Sequence, residues 1–315
     1  FSTPEEDAQR RDFTINGLFY DPVDQQVIDF VGGQADLQAK IVRAIGDADA
    51  RINEDKLRML RAVRFAATYA FELEAETLAA LARHAEELSV VSAERITEEM
   101  RRMLRHAYRA RAVRLLRESK LLAVVLPRFA ERIDGDEAVW DRTIAILDAL
   151  QDDATFTSAL AVLLRDGESA GDDAVDGKLN DLSNRWRLSN DELQRVRFLL
   201  THETNVRSAT NLPWPKLQRI LITDGSEELV DYCASVAKVL GENDQHIAFC
   251  REKLAQPAER LNPPPLITGD DLRAAGIPPG KAYRKILDDV RDAQLVGEIE
   301  SQEDALQRAG KLWKS

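Results

Sequence analysis

The sequence predicts a mainly α-helical protein, and three observations lead there. From Asp47 onward, apolar residues recur at helical spacing in one segment after another, separated by short breaks rich in Gly, Pro or Asp. Strand-like runs are confined to the first 46 residues, at 27–30 and 40–45, too few for a complete sheet. Across 315 residues, 44% are hydrophobic and 31% charged, which suits more than one packed domain. No apolar run approaches membrane-spanning length and no signal peptide opens the chain. Cys233 and Cys250 form no CxxC pair, and the four histidines are scattered, so neither a disulfide framework nor a histidine metal centre is expected. A soluble, cytoplasmic protein without membrane contact is the expectation; its oligomeric state is not legible.

Taken in order, residues 10–20 read as a capped helix with Asp12 at the N-cap. The two short strands follow, separated by Gly32-Gly33 and one helical turn. Helices are then expected near 49–70, 74–87, 93–108, 110–119, 140–150, 156–165, 190–203, 214–223, 227–240 and 243–254. The acidic stretch 166–177 reads as a loop and the prolines at 263–265 as a linker. A last helical module has Gly269–Ala275, the turn Gly276–Gly280 before Lys281, and helices near 281–297 and 301–313.

The net charge of −12 excludes a generally basic nucleic-acid coat, but it is uneven. Residues 1–130 hold 20 Lys+Arg against 21 Asp+Glu, whereas residues 131–315 hold 23 against 34. Arginine outnumbers lysine 32 to 11, which favours fixed contacts to phosphate and bases. Eight arginines fall in 95–117, among them Arg101, Arg102, Arg105 and Arg109. They suit a groove for an RNA stem read by its backbone; they equally suit a solvated helix paired with Glu94, Glu98, Glu99 and Glu118.

The most informative stretch is 50–65. At about 100° per residue, Arg51, Glu54, Asp55, Arg58 and Arg61 fall within roughly 120° of one helix face, and Arg64 points away from it. Asp55 and Arg58, one turn apart, offer acceptors beside a fork of donors. Such a pair accepts the amino group of cytosine or adenine, whereas uracil and guanine set a carbonyl against the carboxylate. Each group left unpaired costs about 1–3 kcal/mol. The same spacing also fits a surface helix laced with ion pairs.

Arg10-Arg11-Asp12-Phe13-Thr14-Ile15-Asn16, followed by Arg51-Ile52-x-Glu54-Asp55-x-x-Arg58-x-x-Arg61-x-x-Arg64-Phe65, resembles the class II tRNA nucleotidyltransferase and bacterial poly(A) polymerase family. Ser92-Ala93-Glu94-Arg95-Ile96-Thr97-Glu98-Glu99 is similar to that family's neck motif, and 266–272 through 293–299 to a C-terminal module of its longer members. The resemblance implies a remnant of an α/β nucleotidyltransferase head at 1–46, a neck with the template helix at 47–130, a helical body at 131–262 and a helical tail at 263–315. It implies that Arg11 holds the incoming nucleotide and Asp12 its ribose 2′-hydroxyl. Asp55 and Arg58 then act as the protein template for C and A, Arg61 and Arg64 contact phosphate or support the pocket, and Arg51 assists. Arginine suits phosphate because its planar fork donates two hydrogen bonds at once.

The family also implies magnesium, held by a Gly-Gly or Gly-Ser turn and an Asp-x-Asp pair. Asp47-Ala48-Asp49 matches a different family segment, and Asp134-Gly135-Asp136 reads as a loop. The metal-binding carboxylates are therefore expected upstream of Phe1, and the chain is expected not to catalyse transfer alone. Ala159–Gly167 falls where longer relatives can carry an HD phosphohydrolase signature, but Arg165 stands at the histidine position, so no phosphodiesterase activity is expected. The expected function is addition of C and A from CTP and ATP to the 3′ end of tRNA, with pyrophosphate released. The alternatives are a poly(A) polymerase and, from another class, a non-catalytic RNA-binding helical scaffold.

Overall fold

The structure, a computed structural model, describes residues 3–166, 172–280 and 282–314. Expectations falling on Phe1, on 167–171 of the acidic stretch and on Lys281 lie outside these residues. The chain divides into two compact units, residues 1–201 with 238–241, and residues 202–237 with 242–315. The expected boundaries at 46 and 130 fall inside the first unit and the one at 262 inside the second.

The first unit opens with α1 (Pro4–Gln9), started by a Thr3–Glu6 capping box with proline in its first turn. The helix expected over 10–20 does not form. The chain turns at Arg10–Asp12, makes a 3-10 turn at Thr14–Asn16 and enters β1 (Leu18–Asp21), antiparallel to β2 (Gln26–Asp29). Two reasons are visible. Leu18-Phe19-Tyr20 favours a half-buried strand, with Phe19 edge-on to Phe30 at 6.3 Å. Asp12, instead of capping a helix, is held by Phe13, Asn16 and a distant arginine. After α2 (Gly33–Ala39), β3 (Ile41–Val42) pairs in parallel with β4 (Glu72–Leu73). Gly33 is required where it stands, because a Cβ there would lie 2.2 Å from the Thr14 carbonyl oxygen.

Helices make up the rest: α3 (Ala48–Glu54), α4 (Arg58–Thr68), α5 (Ala75–His84), α6 (Ala93–Leu104), α7 (Arg109–Glu118), α8 (Leu121–Val125) and α9 (Pro127–Asp134). They continue through α10 (Glu137–Ala149), α11 (Phe156–Leu164), α12 (Asp172–Ser183) and α13 (Asn190–Arg207). The single helix expected over 49–70 is thus broken in two, and the loop expected over 166–177 gives way to α12 at Asp172. Asp173 stands in the first turn of that helix, where a carboxylate complements the positive end of its dipole. The pair α8–α9, not anticipated, starts its second helix with Pro127. α4 packs against α6 and α7, with Met59, Leu60, Ala62, Val63 and Ala66 wholly inaccessible. Each large apolar side chain so buried contributes about 1.5–3 kcal/mol.

The second unit contains the end of α13 from His202, α14 (Trp214–Leu221), α15 (Ser226–Leu240) as far as Ala237, α16 (Gln245–Leu254), α17 (Ala258–Leu261), α18 (Gly269–Ala274), α19 (Ala282–Leu295) and α20 (Gln302–Lys314). Its end has a core of its own, built on Ile267, Leu272, Ile277, Ile286, Val290, Ala305 and Ala309. Among the described residues no helix is long and apolar enough to cross a membrane.

Candidate nucleotide-binding site

The break between α3 and α4 builds the site. Asp55 leaves helical geometry (φ −153°, ψ 106°), and its carboxylate accepts the Leu57 N–H at 3.1 Å, an Asx-type turn that starts α4. Asp55 and Arg58 are therefore neighbours across a turn, not along one continuous helix. Both line an open cavity of about 590 Å³, together with Arg11, Asp12 and Arg61 as expected. Arg10, Asn16, Leu57, Phe65 and Arg95 line it too, and sequence reasoning did not assign them to it. Arg10, Asn16, Phe65 and Arg95 sit inside the quoted motifs, so a signal existed for those four; for Leu57 none did.

Two Asp–Arg pairs shape the cavity. Asp12 is 8% exposed; its Oδ2 accepts from Arg61 Nε at 2.7 Å, and its Oδ1 accepts the Phe13 N–H at 3.0 Å and the Asn16 amide at 2.9 Å. The Arg61 guanidinium also lies over the Phe65 ring, 5.4 Å from its centre. Asp55 meets Arg95 of α6 in a bidentate pair, at 2.8 and 3.3 Å. Partial burial works against the Asp55 charge, but Arg95, the Leu57 N–H and Arg58 outweigh it and hold the carboxyl below the usual aspartate range. Arg58 donates to Glu54 at 2.6 Å and to the carbonyls of Arg51 and Arg10, each at 3.1 Å. Glu54 is in turn kept ionised, chiefly by Arg58. Arg11 lies over Phe19 and donates to Asp7 and to the Asn16 carbonyl. Five arginines line the cavity against two aspartates, and Asp7, paired with Arg10 and Arg11, and Glu54, paired with Arg58, offset part of that positive charge.

Two expected site residues stand outside. Arg51 is spent on the Ile45 carbonyl and on Glu54. Arg64 is turned to α6, where it pairs with the buried Glu99 at 2.6 Å and lies over Phe65 at 4.1 Å. Neither lines the cavity, and the helical wheel foreshadows this for Arg64.

The four arginines expected to meet RNA separate sharply. Arg101 pairs with Glu192 and Glu98, and Arg102 with Glu98. Arg105 is exposed and has no ion-pair partner among the described residues. Arg109 is 1% exposed and donates to the carbonyls of Leu104, Leu150 and Asp152, at 3.1, 3.4 and 3.0 Å. It ties α7 to the chain after α10 and is closed to solvent, which corrects its expected role.

Among the described residues no group of three or more His, Cys, Asp or Glu side chains comes together to hold a metal. Asp47 caps α3 through the Ala50 N–H, Asp49 pairs with Arg83 and His84, and Asp136 caps α10. The implied magnesium thus finds no donor set among the described residues.

Residues 1–43 match the family described as the poly A polymerase head domain, and residues 70–133 the one described as the probable RNA and SrmB-binding site of polymerase A. A CCA-adding enzyme of Leuconostoc mesenteroides is 30% identical over 311 residues, 98% of this chain and 71% of that enzyme. Poly(A) polymerase I of Escherichia coli is 42% identical over 127 residues, 40% of this chain and 27% of that protein. Among solved structures, a Bacillus stearothermophilus CCA-adding enzyme in complex with CTP has a TM-score of 0.73 at 25% identity, covering 99% of this chain and 75% of that one. A Thermotoga maritima CCA-adding enzyme complexed with tRNA shares the fold, with a TM-score of 0.63 at 20% identity over 98% of this chain and 74% of that one. The chain belongs to the nucleotidyltransferase family of CCA-adding enzymes and bacterial poly(A) polymerases.

Proposed function

We propose that the protein serves template-independent addition of C and A to the 3′ end of tRNA, with CTP and ATP as the nucleotides that Asp55 and Arg58 select. The observation that carries this reading is the pair itself: a carboxylate and a guanidinium on one open wall, backed by Arg11 and Arg61 within the same cavity. The cytosine or adenine amino group donates to Asp55, and Arg58 donates to the neighbouring ring acceptor. The base then replaces Arg95 at Asp55 and Glu54 at Arg58, exchanging one set of charge-assisted hydrogen bonds for another. Asp12 meets the ribose hydroxyl by exchanging one of the hydrogen bonds that Arg61, Asn16 and the Phe13 N–H make to it. Arg11 and Arg61 serve the phosphates. The described residues contribute binding and base selection.

The test is titration of the four nucleoside triphosphates. CTP and ATP are expected to bind, and UTP and GTP to bind more weakly by about 1–3 kcal/mol. A poly(A) polymerase is the second reading, favoured by the 42% identity to the Escherichia coli enzyme over 127 residues. Extension of a tRNA lacking its terminal CCA separates the two, because cytidine incorporation from CTP alone belongs to the first and long adenylate tails to the second.

A further inference from the structure

We propose that an aromatic strip beside the cavity stacks the unpaired bases of an RNA strand, with Tyr69 and Tyr108 as its two open faces. The proposal rests on the nucleotidyltransferase reading above and extends it to the path of the RNA end. Arg58, Arg61, Phe65 and Tyr69 fall within about 80° of one side of α4, so the face that lines the cavity continues to the helix end. Tyr69, the last residue of that stripe, is 53% exposed. Its ring lies nearly parallel to Phe65, 8° apart with centres at 6.0 Å, and tilts against Phe71 at 5.8 Å. One face of the tyrosine is thus taken by the cavity floor, and the exposure belongs to the rest.

A second exposed ring stands at the start of α7. Arg111 donates to the Phe71 carbonyl at 2.8 Å, which fixes the start of α7 beside the end of α4. One turn earlier stands Tyr108, 50% exposed, its ring 5.4 Å from that of His106, whose Nδ1 accepts the Tyr108 N–H. Arg105, the exposed arginine without an ion-pair partner among the described residues, belongs to the same turn. A single exposed tyrosine needs no explanation. Here one stacks on Phe65 of the nucleotide cavity, and the other stands one turn from an exposed guanidinium without an ion-pair partner among the described residues. That combination of ring faces and cation is what an unpaired strand uses, because every base has a π-face and every linkage a phosphate. A duplex hides those faces, so the partner is single-stranded.

The test uses the full chain and a short RNA oligonucleotide carrying 2-aminopurine at its 3′ end. Affinity is read by anisotropy and stacking by quenching of the aminopurine. Tyr69→Ala and Tyr108→Ala are each expected to weaken RNA binding roughly tenfold and to relieve the quenching. Tyr69→Phe and Tyr108→Phe, which keep the ring, should retain both, and Tyr108→Ala should leave CTP affinity unchanged. Blunt duplex RNA should compete poorly. No RNA binding by the unmodified protein, RNA affinity untouched by both alanines, or phenylalanine variants as weak as alanine variants would each overturn the strip. Those results leave the nucleotide reading standing when CTP is still preferred over UTP, whereas loss of that preference in the unmodified protein removes the reading itself.

Discussion

The cavity contains two Asp–Arg pairs of the same chemistry and opposite character. Asp12–Arg61 is buried on its carboxylate side and fully hydrogen-bonded, whereas Asp55–Arg95 has 33% and 52% of its two side chains exposed. A buried pair cannot lose a partner cheaply, because the remaining charge is stranded away from water. An exposed pair is worth about 0–1 kcal/mol, so a ligand can replace one member at little cost. One pair therefore holds the first segment to α4, and the other is an occupied but exchangeable reading head.

The largest effect should come from breaking the fixed pair. Arg61→Ala strands Asp12 and is expected to lower stability by about 3–5 kcal/mol, measured by urea unfolding. Arg64→Ala strands the buried Glu99 in the same way and should be comparable, although Arg64 does not line the cavity. Next comes Arg109→Ala, which leaves buried carbonyls without a donor at a cost of about 1–3 kcal/mol. Arg105→Ala, on an exposed position, should stay within about 0.5 kcal/mol, so the two neighbouring arginines separate structure from surface in one experiment. Arg95→Ala sharpens the comparison further, with an expected stability loss below about 1 kcal/mol that shrinks as salt is added.

The smallest effect concerns pH. The Asp55 carboxyl is held below its ordinary value, so its contribution to stability is present above the unfolded value and lost as pH falls through the folded one. Preference for CTP over UTP, which needs the ionised carboxylate, should be flat from neutral pH down to about 5 and decline only below about 4. A decline already near neutrality would mean that another group titrates with the selection.

Helical content and the residues of the reading head are legible in the sequence because both are local. Periodicity marks α4–α7 and the tail, and Asp55 and Arg58 lie within one short motif. What periodicity hides is the break: Glu54-Asp55-Lys56 keeps a plausible helical pattern, and the Asx turn that ends α3 draws only on the Leu57 N–H. β1 is hidden for a related reason, since Leu18-Phe19-Tyr20 follows Asp12, a good helix cap whose carboxylate is in fact claimed by Arg61, 49 residues away. Distance along the chain also conceals the partner of Asp55, Arg95, which comes from a helix 40 residues on. The fate of Arg109 is likewise unreadable, because three carbonyls from two separate segments decide it.

Selection of the base by Asp55 and Arg58 is tested most directly by isothermal titration of CTP, ATP, UTP and GTP into the unmodified protein and into Asp55→Ala and Arg58→Ala. The account predicts that CTP and ATP bind more tightly than UTP and GTP by about 1–3 kcal/mol, and that either substitution removes the difference while the protein stays folded. Equal affinity for all four nucleotides in the unmodified protein, or a preference that survives both substitutions, would contradict it.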